Sequence, residues 1–162
     1  SELHMLAFDI IYCCSVYHLF KGMIYRKPDM QARQLLAEKR AKAAELLEKL
    51  EQAQAQVEQL AEAKAYYAQF AHEGLVVTHK VFGEGTVTSI SGETATIHFP
   101  KIDGDKKFGI ETAIDGGFLS VNAPDLSEKR KEYHPLIGRA SFIKTQLKSA
   151  EKAFLPYAEY LE

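Results

Sequence analysis

The sequence has few cysteines and no excess of charge of either sign. Its two cysteines, Cys13 and Cys14, are adjacent. They cannot form the disulfide framework of a small secreted protein, so we expect thiols in a reducing cytoplasm. The 20 Lys and Arg residues stand against 22 Asp and Glu residues, which gives a formal net charge of −2. A protein built mainly to neutralise nucleic-acid phosphates usually has a large basic excess, so the composition argues against that class.

Motifs for catalysis and metal binding are also missing. The six histidines include no H-x-x-x-H pair, and the cysteines have no C-x-x-C spacing, so no metal site is predicted. There is no G-x-x-x-x-G-K-S/T phosphate loop, and 162 residues are too few for a complete motor ATPase. We therefore predict a protein that is not an enzyme, with no catalytic residues and no cofactor. The proportions of 46% hydrophobic and 26% charged residues are typical of a globular domain.

Residues 1–29 form an aromatic and aliphatic lead-in that we expect to be a buried core element. Extending its apolar stretch over Leu3 to Tyr25 reaches membrane-spanning length. That window contains residues that are unfavourable in a bilayer core, namely His4, Asp9, His18, Lys21 and Gly22. The apolar stretch also has no basic residues before it and no small-residue cleavage site after it, unlike a secretory signal. No membrane association is expected, and the predicted location is cytoplasmic.

A long helix is predicted over residues 30–73. Pro28 disfavours helix at the residue before it and Asp29 is a competent N-cap, so the helix is expected to begin near Met30. The segment is rich in Ala, Glu, Gln, Lys and Leu, which are good helix formers. A heptad pattern places apolar residues at the a and d positions of this helix. They are Leu36, Ala43, Leu50 and Val57 at a, and Leu46, Ala53, Leu60 and Tyr67 at d. A lysine occupies one position at each end of the pattern, Lys39 at d and Lys64 at a.

The apolar stripe of this helix needs a partner, because a single long helix cannot bury it. Residues 123–162 form a C-terminal helical segment with apolar residues at helix-like spacing: Phe142, Ile143, Leu147, Ala150, Phe154 and Leu155. Antiparallel packing of this segment on the long helix is one prediction. A parallel homodimer through the long helix is the other, and the sequence does not decide between them.

Residues 74–122 have the pattern of a small β domain. Short alternating runs separated by turn residues predict four or five strands, at Leu75–His79, Thr86–Ile90, Thr94–Phe99, Lys106–Ile110 and Phe118–Val121. We expect these strands to close into a barrel, because small open sheets leave exposed edges. The predicted fold class is α+β, with a small β-barrel inserted between a long, coiled-coil-like helical stalk and a C-terminal helix.

The stretch from His79 to Val87 reads H-K-V-F-G-E-G-T-V. It resembles the H-x-x-F-G-x-G-x-V signature of a Tudor/SH3-like barrel, familiar as the C-terminal domain of UvrD-like DNA-repair helicases. Ala95–Phe99 is similar to the apolar strand that follows in that family, and the resemblance covers residues 74–122. It implies a non-catalytic, helicase-associated docking module in a bacterial protein. In the family the module is implicated in contacts to RNA polymerase, with contacts to DNA as a further expectation.

Two groups of residues are singled out within the barrel. Gly83 and Gly85 allow positive φ and a sharp bend, and Val87 faces the core if a bulge resets the strand alternation, so these three are interpreted as determinants of the fold. Phe82 fits the core and is also a candidate contact. The candidate binding residues are His79, Lys80, Phe82, Lys106 and Lys107.

The charge of the barrel favours protein docking. Residues 74–122 contain four lysines and six acidic residues, a balance of −2, so the barrel is not a basic clamp for phosphates. The leading hypothesis is an adaptor that docks a protein partner by strand addition or through a side-chain patch. The first alternative is a weak direct DNA- or RNA-binding accessory protein that uses Lys80, Lys106, Lys107 and the basic C-terminal helix. The second is a membrane-tethered adaptor anchored by residues 1–29.

Overall fold

The structure is a computed structural model that describes the backbone of residues 2–162 and the side chains of residues 29–162. The lead-in predicted over residues 1–29 therefore lies, apart from Asp29, outside the described side chains. The described chain divides into two compact units. We call residues 49–151 the sheet unit, and residues 1–48 with residues 152–162 the terminal unit.

The α+β class predicted from the sequence is confirmed. The helices are α1 (Glu2–Ala68), α2 (Ile110–Asp115), α3 (Leu126–Gly138) and α4 (Ala140–Phe154), with short 3-10 segments at Pro100–Ile102 and Leu155–Leu161. The strands are β1 (Val76–His79), β2 (Gly83–Ser91), β3 (Thr94–Phe99), β4 (Gly104–Gly109) and β5 (Leu119–Val121). Each strand overlaps one of the runs predicted within residues 74–122. β2 and β4 begin three and two residues earlier than predicted, and Ile110 belongs to α2 rather than to β4.

The five strands form one antiparallel sheet in the order β4-β3-β2-β1-β5. Within the described strands, β4 pairs only with β3 and β5 pairs only with β1, so the hydrogen-bonded sheet is open. Closure into a barrel, which we expected because open edges are unfavourable, is not seen in the strand pairing. Two features reduce the cost of the edges: β5 has only 3 residues, and β4 carries charged side chains.

The long helix differs from the prediction at both ends. α1 is helical across Met30, where the sequence predicted its first turn, and it ends at Ala68 rather than at Glu73. Its end is followed by a tight turn in which the N–H of Phe70 donates to the carbonyl of Tyr67 at 3.1 Å. That turn leads the chain from α1 into the sheet.

In the sheet unit, α1 buries its heptad positions, as the pattern predicted. Leu50, Ala53, Leu60 and Tyr67 are buried, and Val57 is half-buried. The C-terminal segment supplies part of the cover, since the ring of Tyr133 in α3 lies 5.6 Å from that of Tyr66 and 6.4 Å from that of Tyr67, centroid to centroid. Packing of the C-terminal segment on the long helix is therefore observed within this unit.

In the terminal unit, Ala43 and Leu46 are buried, whereas Leu36 is 40% exposed. The ammonium group of Lys39 lies 5.3 Å from the ring centroid of Tyr157, a cation–π contact between α1 and the C-terminal residues. A homodimer through the long helix stays a prediction.

The core of the sheet unit combines one face of the sheet with α1 and α2. Its largest fully buried side chains come from four strands and both helices: Tyr67, Val77, Val87, Ile97, Phe99, Ile114 and Leu119. Removing each of these side chains from water contributes about 1.5–3 kcal/mol to folding. The pairing of β2 with β3 shifts register between Val87 and Ser89. This shift is the bulge predicted to reset the alternation, and Val87 is accordingly only 1% exposed.

Glycine is required at the two positions of the signature for different physical reasons, backbone conformation at one and close packing at the other. Gly83 has a φ of +73°, as expected for a sharp bend. Gly85 does not have a positive φ, but a Cβ atom there would lie 2.6 Å from Cδ1 of Phe99 and 2.9 Å from the carbonyl oxygen of His98. Gly85 is therefore required by a close approach between β2 and the core side chain of β3.

One buried carboxylate ties α1, α2 and α3 together. Asp115 is only 6% exposed. Its Oδ1 accepts a hydrogen bond from the hydroxyl of Tyr67 at 2.9 Å, and its Oδ2 lies 2.8 Å from Nδ1 of His134. Nε of Arg130 donates to the backbone carbonyl of Asp115 at 3.2 Å. These four residues, which we call the Asp115 network, satisfy a group that would be costly to bury without partners.

The close approach at Gly85 predicts the effect of adding one methyl group. Gly85→Ala forces the ring of Phe99 and the strand backbone apart, and it is expected to reduce the free energy of unfolding by about 1–3 kcal/mol. Gly138→Ala is the matched control, because a Cβ atom there meets nothing within 4 Å at the last residue of α3. Urea unfolding followed by circular dichroism measures both variants. Equal stability of the two variants would contradict the packing described for Gly85.

The tyrosines at the end of α1 predict a loss of stability in alkali. Burial, together with the hydrogen bond to Asp115, raises the pKa of Tyr67. Burial and the hydrogen bond to Asp125 raise the pKa of Tyr66 to about 12. Both groups ionise near pH ~10 in an unfolded chain. Because the folded pKa values are the higher ones, this contribution to stability is complete below about pH 10 and is lost as the pH rises toward 12.

The measurement is the free energy of unfolding in urea at a series of pH values between about 8 and 12. Replacing both tyrosines, as Tyr66→Phe with Tyr67→Phe, should flatten the alkaline slope. It should also lower stability at neutral pH by about 1–3 kcal/mol, because Asp115 loses a donor. Tyr160→Phe removes a hydroxyl outside this network and serves as the control. A double variant with the wild-type alkaline slope would show that these two tyrosines do not cause it.

Candidate functional site at the β4 edge

The turn between β1 and β2 is held by the side chain of His79. Its Nδ1 lies 3.1 Å from the backbone nitrogen of Val81 and 3.3 Å from that of Phe82. Both nitrogens carry hydrogens, so Nδ1 is the acceptor and the neutral ring carries its proton on Nε2. The histidine predicted as a binding residue thus has a structural task, which is to order the turn that presents Lys80 and Val81 to solvent.

Four aromatic rings meet at the rim of the sheet. The ring of His79 stacks on that of Phe82 with centroids 4.4 Å apart and an interplanar angle of 15°. Phe108 lies 5.5 Å from His79, and Phe99 lies 5.4 Å from Phe82. We call these four residues the rim cluster. Phe99 is fully buried, while the other three are half-buried and contribute surface to the rim.

Lys106 contacts the rim cluster, whereas Lys107 lies on the other face of the sheet. Lys106 and Phe108 lie opposite Ile97 and Ala95, which are both fully buried, so they share the core-facing side of the sheet. The ammonium group of Lys106 lies 5.7 Å from the ring centroid of Phe82. Lys107 is the next residue and points to the opposite face. The five predicted binding residues therefore do not form one patch.

The outer face of the sheet carries a pair that the sequence analysis did not identify. His98 and Asp105 are directly opposite each other on β3 and β4, and Nδ1 of His98 lies 2.8 Å from Oδ1 of Asp105. Both side chains are well exposed, so an ion pair between them adds little stability. The predicted fourth strand began at Lys106 and so left out Asp105, whereas β4 begins at Gly104.

The backbone of β4 has a free edge. The N–H of Ile110 donates to the carbonyl of Glu93 at 3.4 Å, which makes these two residues a hydrogen-bonded pair. In an antiparallel ladder such pairs alternate, so Lys106 and Phe108 use their backbone groups toward β3. The N–H and C=O groups of Asp105 and Lys107 then point away from β3. Among the described strands, no other strand pairs with this side of β4.

The charges around this edge are mixed. Asp105, Lys106 and Lys107 are all exposed, and the edge therefore offers two cations and one anion over three residues. Within residues 29–162, no group of three or more His, Cys, Asp or Glu side chains is placed to hold a metal ion. In the part of the chain that the structure describes, no helix combines the length and the hydrophobicity needed to cross a membrane.

Comparison with known proteins gives this site no counterpart. A scan against protein-family models, a search of the curated proteins and a search of the solved structures each find no match to the chain. The resemblance of residues 79–87 to the helicase-associated barrel therefore stays a prediction. The function of the sheet unit has to be argued from its own contacts, edges and charges.

Proposed function

We propose that the protein is a non-catalytic docking module of the cytoplasm, and that it binds an extended segment of a partner protein as an additional strand on β4. The unpaired edge of β4 is the observation that carries this proposal. Its outward N–H and C=O groups at Asp105 and Lys107 are ready to form an intermolecular ladder. The sheet itself is proposed to have the SH3/Tudor-like architecture that the signature at residues 79–87 implies.

The side chains on β4 suggest what the added strand would contain. Lys106 and the rim cluster lie on one side of the sheet, and Lys107 lies on the other. An added strand would place alternate side chains on these two sides. An acidic residue facing Lys106, with apolar neighbours against Phe82 and Phe108, is the partner segment that fits best. The family resemblance suggests the class of partner, which is a protein of the bacterial transcription or repair machinery such as RNA polymerase.

Direct nucleic-acid binding is the alternative function, and the geometry gives it less support. Lys106 and Lys107 point to opposite faces of the sheet, so they do not present their charges to one phosphate backbone. Residues 74–122 carry four lysines against six acidic residues. Attraction to phosphates would be weak and strongly dependent on salt. A membrane-tethered adaptor would depend on residues 1–29, whose side chains lie outside the described part of the chain.

Strand addition predicts that a proline at position 107 blocks binding without unfolding the sheet. Lys107→Pro removes an N–H that points away from β3, so the existing ladder keeps its hydrogen bonds. Lys107→Gln removes the same charge but keeps the N–H. Capture from a lysate of the native host, and binding to purified RNA polymerase, are expected to be lost for Lys107→Pro and kept for Lys107→Gln. The loss should be at least about tenfold, the effect of about 1.4 kcal/mol.

The fold of each variant is checked by circular dichroism. Lys106→Pro is the destabilising control, because it removes an N–H that bonds to β3. The carbonyl left without a partner should reduce the free energy of unfolding by about 1–3 kcal/mol. In a complex with wild-type protein, amide hydrogen exchange should slow at Asp105 and Lys107. Partner capture by Lys107→Pro at the wild-type level would disprove strand addition at β4. Loss of capture with Lys107→Gln would instead assign the binding to the side chain.

The nucleic-acid alternative has its own charge-reversal experiment. Lys80→Glu with Lys107→Glu reverses two exposed charges of the sheet unit. Under the docking proposal, wild-type protein shows no DNA or RNA mobility shift at about 0.15 M salt, and the double variant keeps wild-type stability. A shift with wild-type protein that weakens steeply with salt, and that the double variant abolishes, would favour the nucleic-acid function over docking.

A further inference from the structure

A cavity of about 490 Å³ lies beside the Asp115 network, where the end of α2 faces α3. Its volume is in the range of small-molecule sites. Five of its lining residues come from α3, and four of these are polar: Ser127, Arg130, Lys131 and His134. Their spacings of three, four and seven residues put them on one face of the helix. This cavity is separate from the β4 edge, and nothing in the docking proposal uses it.

Asp115, which is buried, lies at the interior end of the cavity. Both of its carboxylate oxygens already have donors, Tyr67 on Oδ1 and His134 on Oδ2. A carboxylate oxygen 2.8 Å from Nδ1 of His134 keeps a proton on that nitrogen, which leaves Nε2 as the ring nitrogen open to a ligand. The side chain of His134 is 65% exposed. The buried acid thus orients an otherwise exposed imidazole in the wall of the cavity.

The remaining wall of the cavity is rich in donors. Arg130 uses Nε for the carbonyl of Asp115, and its guanidinium has four further N–H groups. Lys131 adds an exposed ammonium group and Ser127 adds a hydroxyl. α3 also contains acidic residues. One of them, Glu132, accepts a hydrogen bond from the ammonium group of Lys129 at 3.0 Å, so its charge is paired with Lys129 rather than with the cations of the cavity. Asp115 keeps its negative charge, but both of its oxygens accept hydrogen bonds and it is only 6% exposed, so the two cations Arg130 and Lys131 outnumber the one acid that lines the cavity.

We propose that this cavity binds the phosphate monoester group of a small molecule through Arg130, Lys131 and His134. A phosphate monoester has three peripheral oxygens and close to two negative charges, so it can accept hydrogen bonds from several donors at once. A carboxylate has two oxygens and one charge, and it would leave part of the donor wall unused. The remaining volume of the cavity accommodates the organic part of the ligand against Pro135.

The test uses the full chain and phenyl phosphate as the probe, with benzoate as the matched carboxylate, at constant ionic strength. Titration followed by ¹H–¹⁵N NMR should give saturable shifts at Gly116, Ser127 and Lys131, and weaker binding of benzoate. Lys131→Gln should weaken binding about tenfold, the effect expected when one charge-assisted hydrogen bond is lost. Lys144→Gln removes the same charge from α4, outside the lining residues, and should leave affinity within about twofold.

His134→Gln is the second variant, because this exposed side chain can be changed without removing the buried Asp115. It should weaken phenyl phosphate binding, and it should also lower the unfolding midpoint in urea because Asp115 loses one of its two donors, so binding is measured where circular dichroism shows the variant to be folded. Shifts that do not saturate, or an equal loss of affinity for Lys131→Gln and Lys144→Gln, would show attraction by overall charge and overturn the proposal. Benzoate binding as tight as phenyl phosphate binding would overturn the assignment of a phosphate ligand.

Discussion

The sheet unit depends on the hydrogen bond between the hydroxyl of Tyr67 and the carboxylate of Asp115. Tyr67 is the last d position of the α1 heptad, and its ring lies fully buried in the same core as the sheet. A tyrosine hydroxyl placed there needs a partner, and Asp115 at the end of α2 supplies one at 2.9 Å. The acid in turn needs a second donor, which comes from His134 in α3. These two hydrogen bonds connect the end of α1 to α2, and α2 to α3, through one buried carboxylate.

This arrangement explains which parts of the fold the sequence could predict. Strands, turns and the heptad are local patterns, so the approximate positions of the five strands and the buried heptad positions between Leu50 and Tyr67 followed from residue spacing. The bulge beside Val87 was also predictable, because the apolar positions changed phase there. The Asp115 network was not predictable, since its members are separated by up to 67 residues and none belongs to a known motif. Arg130 and His134 lie in a helix of mixed charge that gives no local signal of a buried partner.

The candidate site was only partly predictable for the same reason. Lys106 and Lys107 are neighbours in the sequence, but successive residues of a strand point to opposite faces of the sheet. Only the pairing of Lys106 with Ile97 shows which of the two lysines lies on the side of the rim cluster. Whether the sheet closes into a barrel depends on contacts between its two edge strands, β4 and β5. No local signal determines such contacts.

The resulting molecule has two unrelated kinds of candidate surface: a strand edge that offers backbone groups, and a cavity that offers side chains. The first tolerates many partner sequences, whereas the second depends on the charge and shape of one chemical group.

The close approach of Gly85 to Phe99 has a consequence for how this chain can diverge. The ring of Phe99 occupies the space that any side chain at position 85 would need. A relative that replaces Gly85 must therefore carry a smaller residue at position 99 and also shift the β3 backbone, because the carbonyl oxygen of His98 would lie 2.9 Å from the new Cβ atom. One that keeps an aromatic residue at 99 must keep glycine at 85. The two positions lie on adjacent strands and 14 residues apart, so they should vary together among descendants of this sequence. That covariation, rather than either residue alone, would mark the same sheet in a distant homologue.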